Sequence, residues 1–235
     1  MKKIVIVLLT ALLALAVGCQ KKATEIEEGP VETGAVAGGW TPAADYAVTE
    51  ERKAVFEKGL AELVGVDYEP LAYLGSQVVA GTNHVFLCKA TVVYPGAAPK
   101  YVLVYLYQDL QGNVQLMNVA DLGIVPGEDG AITPPEEGLM GGWSYAEDAA
   151  VTDEMQARLN KALEGLAGAS YAPVANLGSQ VVAGLNRCLL CQVTPVVPNA
   201  QPHYALVYVY EKLDGGAELL QVIDLDVGAL CTYGA

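Results

Sequence analysis

The sequence predicts an α+β fold built twice over, each copy a single helix packed across a curved antiparallel β-sheet. Three observations lead there. An internal repeat divides the chain; each copy holds one stretch of helical periodicity; and strand-like runs follow that stretch with no βαβ alternation.

Self-comparison exposes the repeat. Gly38-Gly39-Trp40 returns as Gly141-Gly142-Trp143, and Leu74 to Gly81 (LGSQVVAG) returns unchanged as Leu177 to Gly184. The offset is 103 residues in both places and holds without a gap from Gly38 to about Val125. The implied boundaries are 38–125 for a first domain, 126–140 for a linker and 141–235 for a second domain. Pro126 to Gly138 (PGEDGAITPPEEG) is rich in proline, glycine and acid, as expected of an exposed connector.

Within a unit, Thr49-Glu50-Glu51 offers an N-cap hydroxyl and two acids for the positive end of a helix. Phe56, Leu60 and Leu63 then fall on one helical face, as do Leu159, Leu163 and Leu166. After Gly65, apolar, β-branched and aromatic runs predict strands over Leu71–Val79, Val85–Val93, Tyr101–Tyr107 and Val114–Val119. The third strand is unusual. Tyr101, Leu103, Tyr105 and Tyr107 line one face and Val102, Val104 and Leu106 the other, and Tyr204, Leu206, Tyr208 and Tyr210 repeat the pattern. A sheet with one helix has only one face to cover. The second apolar face reads either as a half-buried tyrosine ladder or as a surface for the sister unit or a protein partner.

The chain starts with Lys2-Lys3 and an apolar run from Ile4 to Val17 that ends in Ala16-Val17-Gly18-Cys19. The run is short of the roughly 20 residues of a membrane span and reads as a signal peptide over residues 1–18. The tetrad resembles a bacterial lipobox, which implies lipidation at Cys19 and a chain held on the cell envelope, facing outward from the cytoplasmic membrane. Residues 19–37, with Glu25, Glu27, Glu28 and Glu32 and few large apolar side chains, read as a tether. The net charge of −14 excludes nucleic acid as a partner, because that binding needs lysine and arginine to replace counterions.

Gln77-Val78-Val79-Ala80-Gly81-Thr82-Asn83 resembles the Q-x-V-x-G hairpin of the cystatins, and their stefin branch in particular. It lies between the first two predicted strands, downstream of the helix and of the paired glycines Gly38 and Gly39, and the second unit carries the same set. The resemblance implies two tandem cystatin-like domains that inhibit papain-like cysteine proteases by tight, reversible occlusion of the active-site cleft. Three elements would form the wedge in the first unit: a trunk at Gly38 and Gly39, a hairpin of Gln77, Val78, Val79, Ala80 and Gly81, and a second hairpin at Leu110, Gln111 and Gly112. In the second unit they would be Gly141 and Gly142; Gln180, Val181, Val182, Ala183 and Gly184; and Leu213, Asp214 and Gly215. Val36-Ala37 and Leu139-Met140 would lie toward the apolar subsite of such enzymes. The third element lacks the Pro-Trp pair of secreted cystatins, as stefins lack its tryptophan. Trp40 and Trp143, just after the trunk glycines, read as anchors of the trunk to the sheet, with direct contact to the protease as the alternative.

Such a mechanism is steric and calls for no cofactor, metal or catalytic residue. Cys188 and Cys191 lie three apart in a predicted strand and should face opposite sides; Cys88 and Cys191, at equivalent positions, read as core thiols. Cys188 and Cys231 could pair, a connectivity that sequence leaves open. His84 and Cys88 share a strand face about 13 Å apart, too far for a nucleophile and its base. The rival reading is a non-inhibitory surface binding or adhesion lipoprotein that uses the tyrosine-rich face.

Overall fold

A computed structural model describes residues 39–127, 130–136 and 141–231. In chain order the elements are β1 (Trp40–Pro42), α1 (Glu50–Leu60), β2 (Val66–Val79), β3 (Gly81–Val92), β4 (Lys100–Gln108), β5 (Val114–Asp121), β6 (Val125–Pro126) and β7 (Ile132–Thr133). The second unit follows with β8 (Trp143–Tyr145), α2 (Asp153–Ala162), β9 (Ala169–Val182), β10 (Gly184–Pro195), β11 (His203–Glu211) and β12 (Ala217–Leu225). β1 to β5 form one antiparallel meander in chain order, β8 to β12 form another, and β6 pairs with β7.

Both helices start where the sequence places them. The Thr49 and Thr152 hydroxyls accept hydrogen bonds from the Arg52 and Met155 amides, which closes the first turn. β2 and β9 begin about five residues earlier than expected and run straight through Pro70 and Pro173. Each strand shifts register at its proline and again a few residues on, so the missing amide falls at a bulge instead of breaking the ladder.

The expected fold class is corrected. The described residues are mostly β, with 50% strand, 11% helix and three antiparallel sheets, and are not an α+β pair of cystatin-like domains with one helix packed across each sheet. The helices have 11 and 10 residues while the longest strands have 14. At about 1.5 Å per helical residue against 3.3 Å per strand residue, such a helix spans only a third of the strand's length. Each buries one side chain, Phe56 against Phe86 and Leu159 beside Leu189 and Val207. Leu63 and Leu166, expected on the buried helical face, lie beyond the helix ends and are exposed.

The principal layer contact is sheet on sheet. Leu74, Val85, Leu87, Tyr101, Leu103 and Tyr105 of the first unit share one core with Leu177, Cys188, Leu190, Tyr204, Leu206 and Tyr208 of the second. The tyrosine face is thus the surface for the sister unit. The connector joins the same core, because Ile124 is buried, Ile132 packs beside it and β6–β7 closes over Gly123.

The two sheets point in opposite directions. Trp40 and Tyr105, toward the β2–β3 turn, meet the segment after β12: the Tyr105 hydroxyl donates to the Val227 carbonyl at 2.6 Å, and Trp40 lies over Gly228. At the other end Tyr101 donates to the Ala146 carbonyl at 2.9 Å and Tyr145 to Leu122 at 2.8 Å. Lys89 reaches the Glu147 carbonyl while Gln192, its equivalent, reaches that of Ala43. Such reciprocity is the mark of a pseudo-twofold axis, and it carries the β2–β3 and β9–β10 turns to opposite poles.

Two outcomes follow from this core. Tyr105→Phe should cost about 1–3 kcal/mol by leaving the Val227 carbonyl unpaired, whereas Tyr208→Phe should be neutral or stabilising in a denaturant titration, because the Tyr208 hydroxyl reaches no oxygen or nitrogen partner and has only the weakly bonding Cys188 thiol beside it. Burial also pushes the phenols of Tyr101, Tyr105 and Tyr208 well above the ordinary tyrosine range, and Tyr204 up to about 12. Their contribution is complete below the unfolded value near pH 10 and is lost above it, by up to about 1.4 kcal/mol per pH unit for each group. Circular dichroism should therefore show cooperative alkaline unfolding, beginning near pH 10 and coincident with tyrosine ionisation at 295 nm.

Candidate functional site

At one end of each sheet three chain segments come together. β1 pairs antiparallel with β2, Trp40 opposite Gln77 and Thr41 opposite Ser76, and this lays the trunk beside the first hairpin. β3 pairs with β4 through Thr82 opposite Gln108, which sets the β4–β5 turn on the other side of the same hairpin. The second unit repeats this with Trp143 opposite Gln180 and Leu185 opposite Glu211. Trunk, first hairpin and second hairpin are therefore neighbours in that order at each pole.

The first hairpin turns at Ala80 and Gly81, and at Ala183 and Gly184 in the second unit. Gly81 has φ +128° and Gly184 φ +135°, and a β-carbon on Gly184 would come within 2.5 Å of the Glu211 carbonyl oxygen. The equivalent carbonyl, that of Gln108, crowds Gly81 in the same way. Both the backbone dihedral and the close approach of β4 or β11 thus require glycine. Tyr107 and Tyr210 donate from their hydroxyls to the Ala80 and Ala183 carbonyls at 2.5 and 2.6 Å, tying each hairpin tip to the adjacent strand. The sequence marks these tyrosines only as ladder members; their position at the strand end nearest the turn is the signal that sets them apart.

The second hairpin is built around Asp109. Its Oδ1 accepts from the Gln111 and Asn113 amides at 2.9 and 2.8 Å, and the bonds from Asn113 hold its carboxyl below the usual carboxylate range. This leaves Leu110 pointing to solvent, 80% exposed. Leu213, at the same place in the second unit, is 88% exposed, and there Arg158 and Lys161 of α2 donate to the Gly216 and Gly215 carbonyls. Val78, Val79, Val181 and Val182 at the first hairpins are likewise exposed, Val181 by 71%. Large apolar side chains set on rigid turns at both poles make narrow apolar edges.

Gly39 lies at the first trunk and Gly141 and Gly142 at the second; Gly38, Val36-Ala37, Leu139-Met140 and Cys19 lie outside the described residues. Trp40 stacks edge-on with Tyr105 at 5.6 Å and Trp143 with Tyr208 at 5.5 Å, so each tryptophan anchors its trunk to the shared core.

Behind the first edge, the Arg52 guanidinium lies 4.2 Å from the Tyr73 ring centre, Tyr73 hydrogen-bonds the His84 Nδ1 at 3.0 Å, and burial lowers the proton affinity of His84. The second unit carries Asn176 and an Arg187–Glu211 ion pair at 2.5 Å in the same place. The thiols are poorly suited to attack, since burial raises Cys88 well above its ordinary value and Cys188 up to about 12. Cys188 faces the inter-sheet core and Cys191 the outer one, and both are free, as is Cys231. Among the described residues no cluster of histidine, cysteine and carboxylate could hold a metal ion.

No protein-family model matches the chain, and no curated protein matches it in sequence.

The glycines of the two hairpins should differ in their tolerance of a side chain. Gly81→Ala meets both a left-handed dihedral and a backbone clash and should cost more than about 2 kcal/mol, whereas Gly112→Ala, with φ +82° and open space around it, should cost about 1 kcal/mol. Chemical denaturation of the two variants measures the difference.

Proposed function

We propose that this chain inhibits papain-like cysteine proteases by inserting an apolar three-part edge into the active-site cleft, once at each pole. The observation that carries the reading is the convergence of trunk, Q-x-V-x-G hairpin and second hairpin at one end of each sheet, with exposed Val78, Val79 and Leu110 at one pole and Val181, Val182 and Leu213 at the other. A rigid edge suits occlusion because little side-chain or backbone freedom is lost on docking. The hairpin tips are held by backbone pairing and tyrosine hydroxyls, and the valines are stiff at χ1. Exposed apolar side chains at the centre of such a surface supply the contact energy.

The apolar run that ends at Ala16-Val17-Gly18-Cys19 supports a lipid on Cys19, with residues 19–37 tethering the inhibitor to the outward side of the bacterial envelope. The rival adhesion reading depended on an open tyrosine face; Tyr101, Tyr105, Tyr204 and Tyr208 are closed between the sheets, so this face offers no partner a surface.

Titration of papain and a cathepsin with the purified chain from residue 19 tests the proposal. Two enzyme molecules should be inhibited per chain. Val181→Arg with Leu213→Arg should reduce this to one, with the fold intact, because both side chains already face solvent. Full protease activity at micromolar wild-type protein sinks the reading. These positions make a cleaner probe than Gly81 or Gly184, where any side chain disturbs the hairpin itself.

A further inference from the structure

The glutamine of the hairpin motif turns away from the role that the family resemblance gives it. Its amide is engaged within the chain: Gln180 Nε2 donates to the Gly141 carbonyl at 2.9 Å, and Gln180 Oε1 accepts from Asn186 Nδ2 at 2.9 Å. Asn186 sits opposite Gln180 on the neighbouring strand, and Asn83 makes the same bond to Gln77 at 2.7 Å in the first unit.

A primary amide has a donor end and an acceptor end. By filling the Gln180 oxygen, Asn186 fixes which end faces the trunk and leaves the NH2 group aimed at the Gly141 carbonyl. Gly141 itself has φ +75° and open space around it, and beyond Trp143–Tyr145 no ladder bond holds it. We propose that Asn186 and Gln180 act as positioning residues, a relay that clips the trunk at Gly141 against the first hairpin so that the edge is already assembled before a partner arrives. Neither residue is then a contact residue. The effect on inhibition rests on the function proposed above, but the clip itself does not.

Gln180→Glu separates the parts of the relay, since a carboxylate still accepts from Asn186 but can no longer donate to Gly141. Measured by hydrogen exchange and mass spectrometry on the full chain, peptides covering Gly141 to Tyr145 should exchange roughly three- to tenfold faster, in line with one lost hydrogen bond. Peptides from β10 and β11 should stay as protected as in the wild type, and Asn186→Leu should act in the same direction. In a background with Val79→Arg and Leu110→Arg, which disables the first edge, Gln180→Glu should weaken papain inhibition by a similar factor. It should have no further effect on inhibition once Leu139 and Met140 are replaced by glycine and serine, because the Gly141 carbonyl is still there to be clipped but the trunk no longer carries apolar side chains for the clip to present. Unchanged exchange at Gly141 to Tyr145 in both variants overturns the clip. So does an equal loss of inhibition with and without the native trunk, which would make Gln180 a direct contact. Faster exchange in a chain that never inhibits papain upholds the clip and overturns the inhibitory reading alone.

Discussion

The fold rests on the burial of two apolar faces that one helix apiece cannot cover. β4 and β11 carry large side chains on both sides, and the inner side holds paired tyrosines. A tyrosine of this kind removes some 150–250 Å² from water, and burying its apolar ring is worth about 2–3 kcal/mol of transfer free energy each. Its hydroxyl, however, has to find an acceptor inside the protein. Packing two such faces with their strands pointing oppositely meets both needs. The hydroxyls of Tyr101, Tyr105 and Tyr145 each reach a carbonyl of the other unit or of the connector, at places where the backbone has left its sheet. Tyr208 lacks such a carbonyl, which marks where the pseudo-symmetry is imperfect.

This arrangement fixes the geometry of the edges. Trp40 links them to the core: its backbone pairs with Gln77 beside the hairpin, and its ring lies between Tyr105 and Gly228 of the other unit. The trunk of one unit is thus seated partly by the end of the other. The polar groups behind the two edges have diverged, Arg52, Tyr73 and His84 on one side and Asn176, Arg187 and Glu211 on the other, while the turn glycines, the hairpin tyrosines and the Gln–Asn pairs are the same. What both copies keep is what shapes the edge.

Local features were legible in the sequence and long-range ones were not. The repeat, the Thr49 cap, the four main strands and the turn at Gly81 all depend on residues close in the chain. β1 and β8 were missed because three residues show no periodicity; they are strands only because β2 and β9 offer them an edge. The early start of β2 was hidden by Pro70, whose missing amide is absorbed at a bulge visible only once β3 is paired. Helical periodicity overstates how much of each sheet the helices cover, and the apolar second face of β4, which signals the sheet-on-sheet layer, fits two readings until the sister unit is in place. In the candidate site, the turns of both hairpins are legible from their glycines. The amide relay and the hydroxyls of Tyr107 and Tyr210 are not, because they join residues that meet only across strands.

The connector between β5 and β8 has a consequence of its own. Two faces that would otherwise have to find each other by diffusion are held on one polypeptide, so their meeting is set by an effective concentration in the millimolar range and not by the number of copies present. Dilution does not separate them. A short chain folded over its own midpoint, with Ile124 and Ile132 seated in the seam, keeps one hairpin edge at each pole even as a solitary molecule.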